Sequence, residues 1–234
     1  PNVVAARDWP ERPFNKLVVI NNAWQVRPDW DDLVFPYDFP PERQPTSLKP
    51  RQRLIGEAEF VPVQNQYGGF VYAGATMAFT TAYWVLGHYN PREIAFLGCD
   101  MSYPKSSKTH FYGTGTADPL REDITLISLE AKAARLYALA LAQGCEITNL
   151  SQETSRLIAP RRSLLEPRPE PFEIDKVQKA HALAREQELA YYVASGRYWE
   201  ELERFDIEQI KRLDALWSNV VIEPKEAAAL MRGY

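Results

Sequence analysis

The chain has 234 residues, 45% of them hydrophobic, and a formal net charge of -4, which suits one substantial core with a smaller appendage. Its mild acidity leaves no basic footprint for nucleic acid or an anionic membrane surface, and no apolar run reaches the ~18–20 residues of a membrane span. Cys99 and Cys145 do not make a disulfide framework, and with no signal-peptide pattern at the start the expectation is a soluble, cytoplasmic protein with reduced thiols.

Residues 16–20 form an apolar strand pattern, residues 33–35 a short one and residues 58–63 an alternating one. Pro36, Pro40, Pro41, Pro45 and Pro50 predict an extended surface loop after the second strand. Residues 71–86 read as one buried helix stopped by Gly87, with Ala73, Gly74, Ala75 and Ala78 small enough to let backbone or ligand approach. Residues 93–97 are a buried strand between Pro91 and the turn Gly98-x-Asp100. Residues 125–143 are an Ala- and Leu-rich helix, with start signals at Asp118, Pro119, Glu122 and Asp123 and a stop at Gly144, before a strand at 145–149.

This order fits a β-α-β-α-β series, in which ligands sit outside the carboxyl ends of parallel strands. Gly98, Asp100, Ser102, Tyr103 and His110 all fall on that side. Histidine is the side chain whose ordinary titration suits a general base near neutral pH, so His110, close in sequence to Asp100, is the candidate base. The plainer alternatives are that Asp100 caps its turn, that Asn21 and Asn22 are turn residues, and that Arg156 pairs with a carboxylate. Trp24 and Trp30 can stack on a base or sugar or simply pack, and His88 and His181 read as ordinary helix-associated residues.

Residues 160–171 carry four prolines and mark a linker. Residues 172–234 read as helical throughout, with a break at Gly196. Within residues 198–217, Trp199, Leu202, Phe205, Ile210, Leu213 and Leu216 recur at helical spacing and predict one apolar face. That hairpin is expected to pack on the sheet or on a second copy, making these helices the candidate surface for a homo-oligomer.

Residues 78–87, Gly98 to Tyr103, Thr109 to Gly113, Gly144 to Ser151 and Ser155 to Leu157 occur in an order that resembles one enzyme clan. It comprises the bacterial CMP-sialic-acid sialyltransferases, the motility-associated-factor glycosyltransferases and the archaeal 6-hydroxymethylpterin diphosphokinases. The resemblance covers about residues 15–160. It implies an α/β fold, a Rossmann-like mostly parallel sheet with flanking helices and a GT-A-like variant. The domain organisation is then a nucleotide-sugar-binding domain at 1–159, the linker at 160–171 and a helical extension at 172–234.

The activity implied is transfer of a sialic-acid-type (nonulosonic) sugar from a CMP-activated donor to a hydroxyl acceptor, a glycan or a small molecule, with no cofactor required. The resemblance places Asn21, Asn22, Gly74, Gly98, Ser102 and Tyr103 around the nucleotide, Tyr112 and Arg156 near substrate or phosphate, and His110 with Asp100 at the reacting centre. Two features depart from the pattern: no Asn-x-Pro-Ser-like nucleotide loop precedes Lys16, and only a short segment separates Asp100 from His110. The short segment is closer to the motility-associated and pterin branches. The alternative activity is therefore magnesium-dependent diphosphotransfer to a pterin-like alcohol, with Asp100 holding the metal. A non-catalytic binding or assembly module is the third option.

Overall fold

The computed structural model describes residues 2–102 and 122–222. A 3-10 helix at Asn2–Asp8 precedes three short strands, β1 (Val18–Ile20), β2 (Asp32–Val34) and β3 (Arg53–Ile55), which pair in parallel in the order β1-β2-β3. The central strand β2 is fully buried. Its Asp32 is neutralised by Arg53 Nε at 2.7 Å and accepts the Tyr89 hydroxyl.

The next element corrects the sequence expectation. Residues 58–63 belong to a helix, α1 (Glu57–Gln66), and the strand lies just before it as β3. Val61, Pro62 and Val63 imitate alternation, but the buried positions are Phe60 and Gln64, four apart, which is a helical interval. Glu59 fixes the start by accepting the Gly56 N–H at 3.0 Å.

The helix expected over residues 71–86 is two helices, α2 (Phe70–Ala73) and α3 (Met77–Tyr89), separated at Gly74, whose φ is +85°. Thr76 caps α3 by accepting the Phe79 N–H at 3.2 Å. Gly87 does not stop this helix; it lies inside it, where a Cβ would meet Val63 Cγ1 at 2.5 Å, so glycine permits the close crossing of α1 and α3. The stop is Asn90, in the left-handed region with its N–H on the Leu86 carbonyl.

Strand β4 (Glu93–Phe96) and strand β5 (Glu146–Asn149) pair in parallel on either side of helix α4 (Leu129–Ala142) in sequence. The α4 cap is Ser128, whose Oγ accepts the Ala131 N–H at 3.1 Å; Asp123 instead closes a turn on the Thr125 N–H at 2.8 Å. Gly144, with φ +79°, turns the chain into β5. The start of the proline-rich stretch extends the β5 edge, because Asn149 bonds Pro160 and Arg162 through their backbones.

Residues beyond 172 are not helical throughout. Strand β6 (Glu173–Ile174) pairs antiparallel with strand β7 (Val221–Ile222), enclosing helices α5 (Lys176–Leu189) and α6 (Ile207–Ser218). Asp175 and Asp206 cap the two helices. The expected apolar face begins only at Phe205: Ile210, Leu213 and Trp217 are buried, whereas Trp199 and Leu202, which precede α6, are exposed. The buried face packs on α4 and α2, through Val71, Ala131, Ala138 and Trp217. The architecture is mixed α/β, small parallel sheets with helices, and has no barrel among the described residues. No helix there is long and apolar enough to cross a membrane.

Candidate functional site

The two parallel sheets face one another across a cleft of about 1540 Å³. Their relative direction follows from side chains at the two ends. Lys16, before β1, lies 5.2 Å above the Tyr89 ring, before β4, so the amino ends are neighbours. At the other end, Val3 sits against Gly98, after β4, and the carbonyl of Ala6 accepts Arg27, in the connection from β1 to β2, at 2.7 Å. The amino-terminal 3-10 helix therefore reaches the carboxyl end of β4.

The amino end of α3 opens at that same side. Thr76, Met77 and Ala78 line the cleft, and Thr76 Oγ1 is 4.0 Å from Met101 Sδ in the turn after β4. A helix amino terminus presents N–H donors and partial positive charge to an anion. Arg43 also lines the cleft, with no acidic partner among the described residues; its carbonyl accepts the Trp24 indole N–H at 2.9 Å just beyond β1. Asn21 and Asn22 line the same end. Asn21 has φ +50°, and its buried Oδ1 has no hydrogen-bond partner among the described residues.

The predicted site residues separate into three groups. Asn21, Asn22 and Gly98 are together at the cleft. Gly74, Asp100, Ser102 and Arg156 are not among its lining residues. Gly74 packs behind the α2–α3 break, where a Cβ would meet Phe79 Cδ2 at 2.9 Å, and its neighbours Ala75 and Thr76 line the cleft instead. Asp100 faces the loop after β5, its carboxylate accepting the Ser151 hydroxyl and its carbonyl the Arg156 N–H. The Arg156 guanidinium makes a bidentate pair with Glu130 at 2.6 and 2.9 Å, as the plainer reading of that residue has it. Ser102 is half-buried. Tyr103, His110 and Tyr112 lie outside the described residues.

Several chemistries can be assigned by what surrounds each group. Burial, reinforced by Asp100, pushes the Cys99 thiol up to about 12, which keeps it protonated and poor as a nucleophile at neutral pH. Both cysteines are free. Trp30 is buried and packs, and His88 stacks on Trp84 at 5.0 Å within α3. Among the described residues no three His, Cys, Asp or Glu side chains cluster to hold a metal, so Asp100 offers a magnesium ion only one carboxylate there. Arg43 and Thr76 escaped the sequence reading: one is in a proline-rich loop and the other precedes a helix whose start was placed too early.

Comparison with protein-family models, with curated proteins and with solved structures finds no match to this chain.

Proposed function

We propose that the chain is a glycosyltransferase-like enzyme with a Rossmann-like, GT-A-variant fold that takes a sialic-acid-type sugar from a CMP-activated donor to a hydroxyl acceptor. The observation that carries this reading is the meeting of three features at one end of the cleft. These are the carboxyl ends of β1 and β4, the capped amino end of α3, and Arg43. Together they suit a phosphate joined to a nucleoside. In this reading Asn21 and Asn22 hydrogen-bond the base or ribose, and Arg43 with the α3 amides holds the phosphate that leaves. Under the same reading His110 accepts the acceptor proton, Tyr103 belongs to the nucleotide side and Tyr112 to the substrate side.

The test is a thermal-shift titration with CMP, CDP, UDP, GDP and ATP, with and without magnesium. CMP at ten times its Kd is expected to stabilise the fold by about 1.4 kcal/mol, or roughly 3–5 °C for a chain of this size. Arg43→Ala is expected to remove most of that shift while leaving the ligand-free midpoint unchanged. Stabilisation by ATP only with magnesium would replace sugar transfer by diphosphotransfer. No shift with any nucleotide would reject both.

A further inference from the structure

We propose that the space between β1 and β4 is a strand slot: it receives a parallel β-strand, apolar on both faces, that is continuous with the amino side of Pro1, joining the two sheets in the order β3-β2-β1-strand-β4-β5. The evidence is in which residues line the cleft. Val18, Val19 and Ile20 do so consecutively, as do Glu93 through Gly98. Successive side chains of a strand point to opposite faces, so contact with a sheet face involves alternate residues, whereas consecutive residues are exposed along an edge. Among the described residues, neither edge has a strand partner: β1 pairs only with β2 and β4 only with β5.

The hydrogen-bond ladders show which backbone groups are left over. Leu17 accepts from Asp32 on the β2 side, and Arg92 and Phe96 accept from Glu146 and Leu150 on the β5 side. By alternation, the N–H and C=O groups of Val18 and Ile20 point into the slot from one wall, and those of Glu93, Ala95 and Leu97 from the other. Two rows of peptide groups facing each other are matched only by an extended backbone, which carries donors and acceptors on both its edges. Thr81, on α3 beneath the slot, is 6% exposed and its Oγ1 has no hydrogen-bond partner among the described residues.

Size and polarity agree. A strand of five residues needs roughly 800 Å³, from about 3.3 Å per residue, 4.8 Å across the sheet and 10 Å through the layer, and the cleft of about 1540 Å³ accommodates it with its ligand end left open. Val18, Ile20, Val85, Ile94 and Phe96 make the walls apolar, as a strand covered on both faces requires. The direction is set by the shared orientation of β1 and β4. A strand parallel to them leaves the slot at the carboxyl end, where the backbone of Val3 already lies against Gly98, a Cβ there meeting Val3 N at 3.0 Å. The connection into residue 3 is therefore short.

Amide hydrogen exchange tests this independently of any nucleotide. The chain is compared with a version carrying the leader Lys-Val-Val-Ile-Val-Gly directly before Pro1, and with a control leader, Lys-Pro-Val-Pro-Val-Gly, that removes ladder donors. The strand leader is expected to slow exchange of the Ile20, Ala95 and Leu97 amides by about tenfold or more. The Val19, Ile94 and Phe96 amides, already directed at β2 and β5, should change little, and the proline leader should protect none. Unchanged exchange at Ile20, Ala95 and Leu97 with the strand leader overturns the slot. Protection by the same sequence added as a free peptide, but not as a leader, overturns the connection through Pro1.

Discussion

The core around α4 and the cleft between β1 and β4 are built on opposite rules. Around α4 even the charges are buried and held. Arg135 makes a bidentate pair with Glu186 at 2.7 and 2.8 Å, donates to the Tyr83 hydroxyl and the Tyr67 carbonyl, and lies 5.5 Å from the Trp217 ring centroid. Burial acts to lower the Arg135 pKa, but Glu186 and Tyr83 outweigh it and the guanidinium is held charged. At the cleft, β1 is only half-buried, Asn21 and Thr81 keep buried oxygens without partners among the described residues, and Asn21, Gly98 and Met101 all have positive φ. Strain and unused hydrogen-bonding capacity suit a surface that binds; on the α4 side Asp214 Oδ2 also has no partner among the described residues, but there it is enclosed in the core and does not line the cleft.

Glu186→Ala is the most damaging change this contrast predicts. It strands a buried guanidinium and removes the acceptor of the Trp217 indole N–H at 2.7 Å, at a cost of about 3–5 kcal/mol, read as a lower urea midpoint. Replacing both partners, as Arg135→Met with Glu186→Leu, should cost less than the single change, because no charge is left buried alone. If the double variant is the less stable, the pair is a stabilising element in its own right.

Gly74→Ala comes next and acts where the two regions meet. Its φ of +85° is strained for an L side chain, and the new methyl would press on Phe79 and Lys132. A loss of about 1–3 kcal/mol is expected, together with exchange protection falling at α2 and the first turn of α3. Equal loss across the whole chain would mean that the break at Gly74 is not a local joint. Thr76→Ala, which deletes the α3 cap, should cost about 1 kcal/mol and weaken CMP binding beyond that if the α3 amides hold the phosphate.

How much of this was legible in the sequence depended on range. The strands at β1, β4 and β5 and the Gly144 stop stood out because apolar runs and punctuation are local. Residues 58–63 misled because Pro62 between two valines looks like alternation, and Gly87 misled because the neighbour requiring a glycine, Val63, is distant in sequence. The division into two parallel sheets depends on strand pairing, which no local pattern encodes. At the site, strand-end reasoning singled out Gly98 and the family resemblance Asn21 and Asn22, and these three line the cleft. Asp100 and Arg156 are engaged by Ser151 and Glu130, partners that only folding delivers.

The smallest predicted effect is a difference in the sign of pH dependence between the two regions. Burial raises the pKa of Asp214 above its ordinary 3.8, and Lys132 Nζ at 2.8 Å opposes that without cancelling it. The folded state then binds this proton more tightly than the unfolded state, so the contribution is fully present below about 3.8 and is lost as pH rises through the raised value. Asp29, paired with the cleft-lining Arg27, is shifted the other way, held below 3.8 by its hydrogen bonds from Arg27. Its contribution is present above the ordinary value and is lost as pH falls through the lowered one. Urea midpoints of Asp214→Asn and Asp29→Asn, measured from pH 3 to 7 against the unsubstituted chain, separate the two. Relative to the unsubstituted chain, Asp214→Asn should gain as pH rises and Asp29→Asn should lose. Differences that run in the same direction for both would mean that burial does not decide the charge state of Asp214, and that the ion pair with Lys132 governs it as Arg27 governs Asp29.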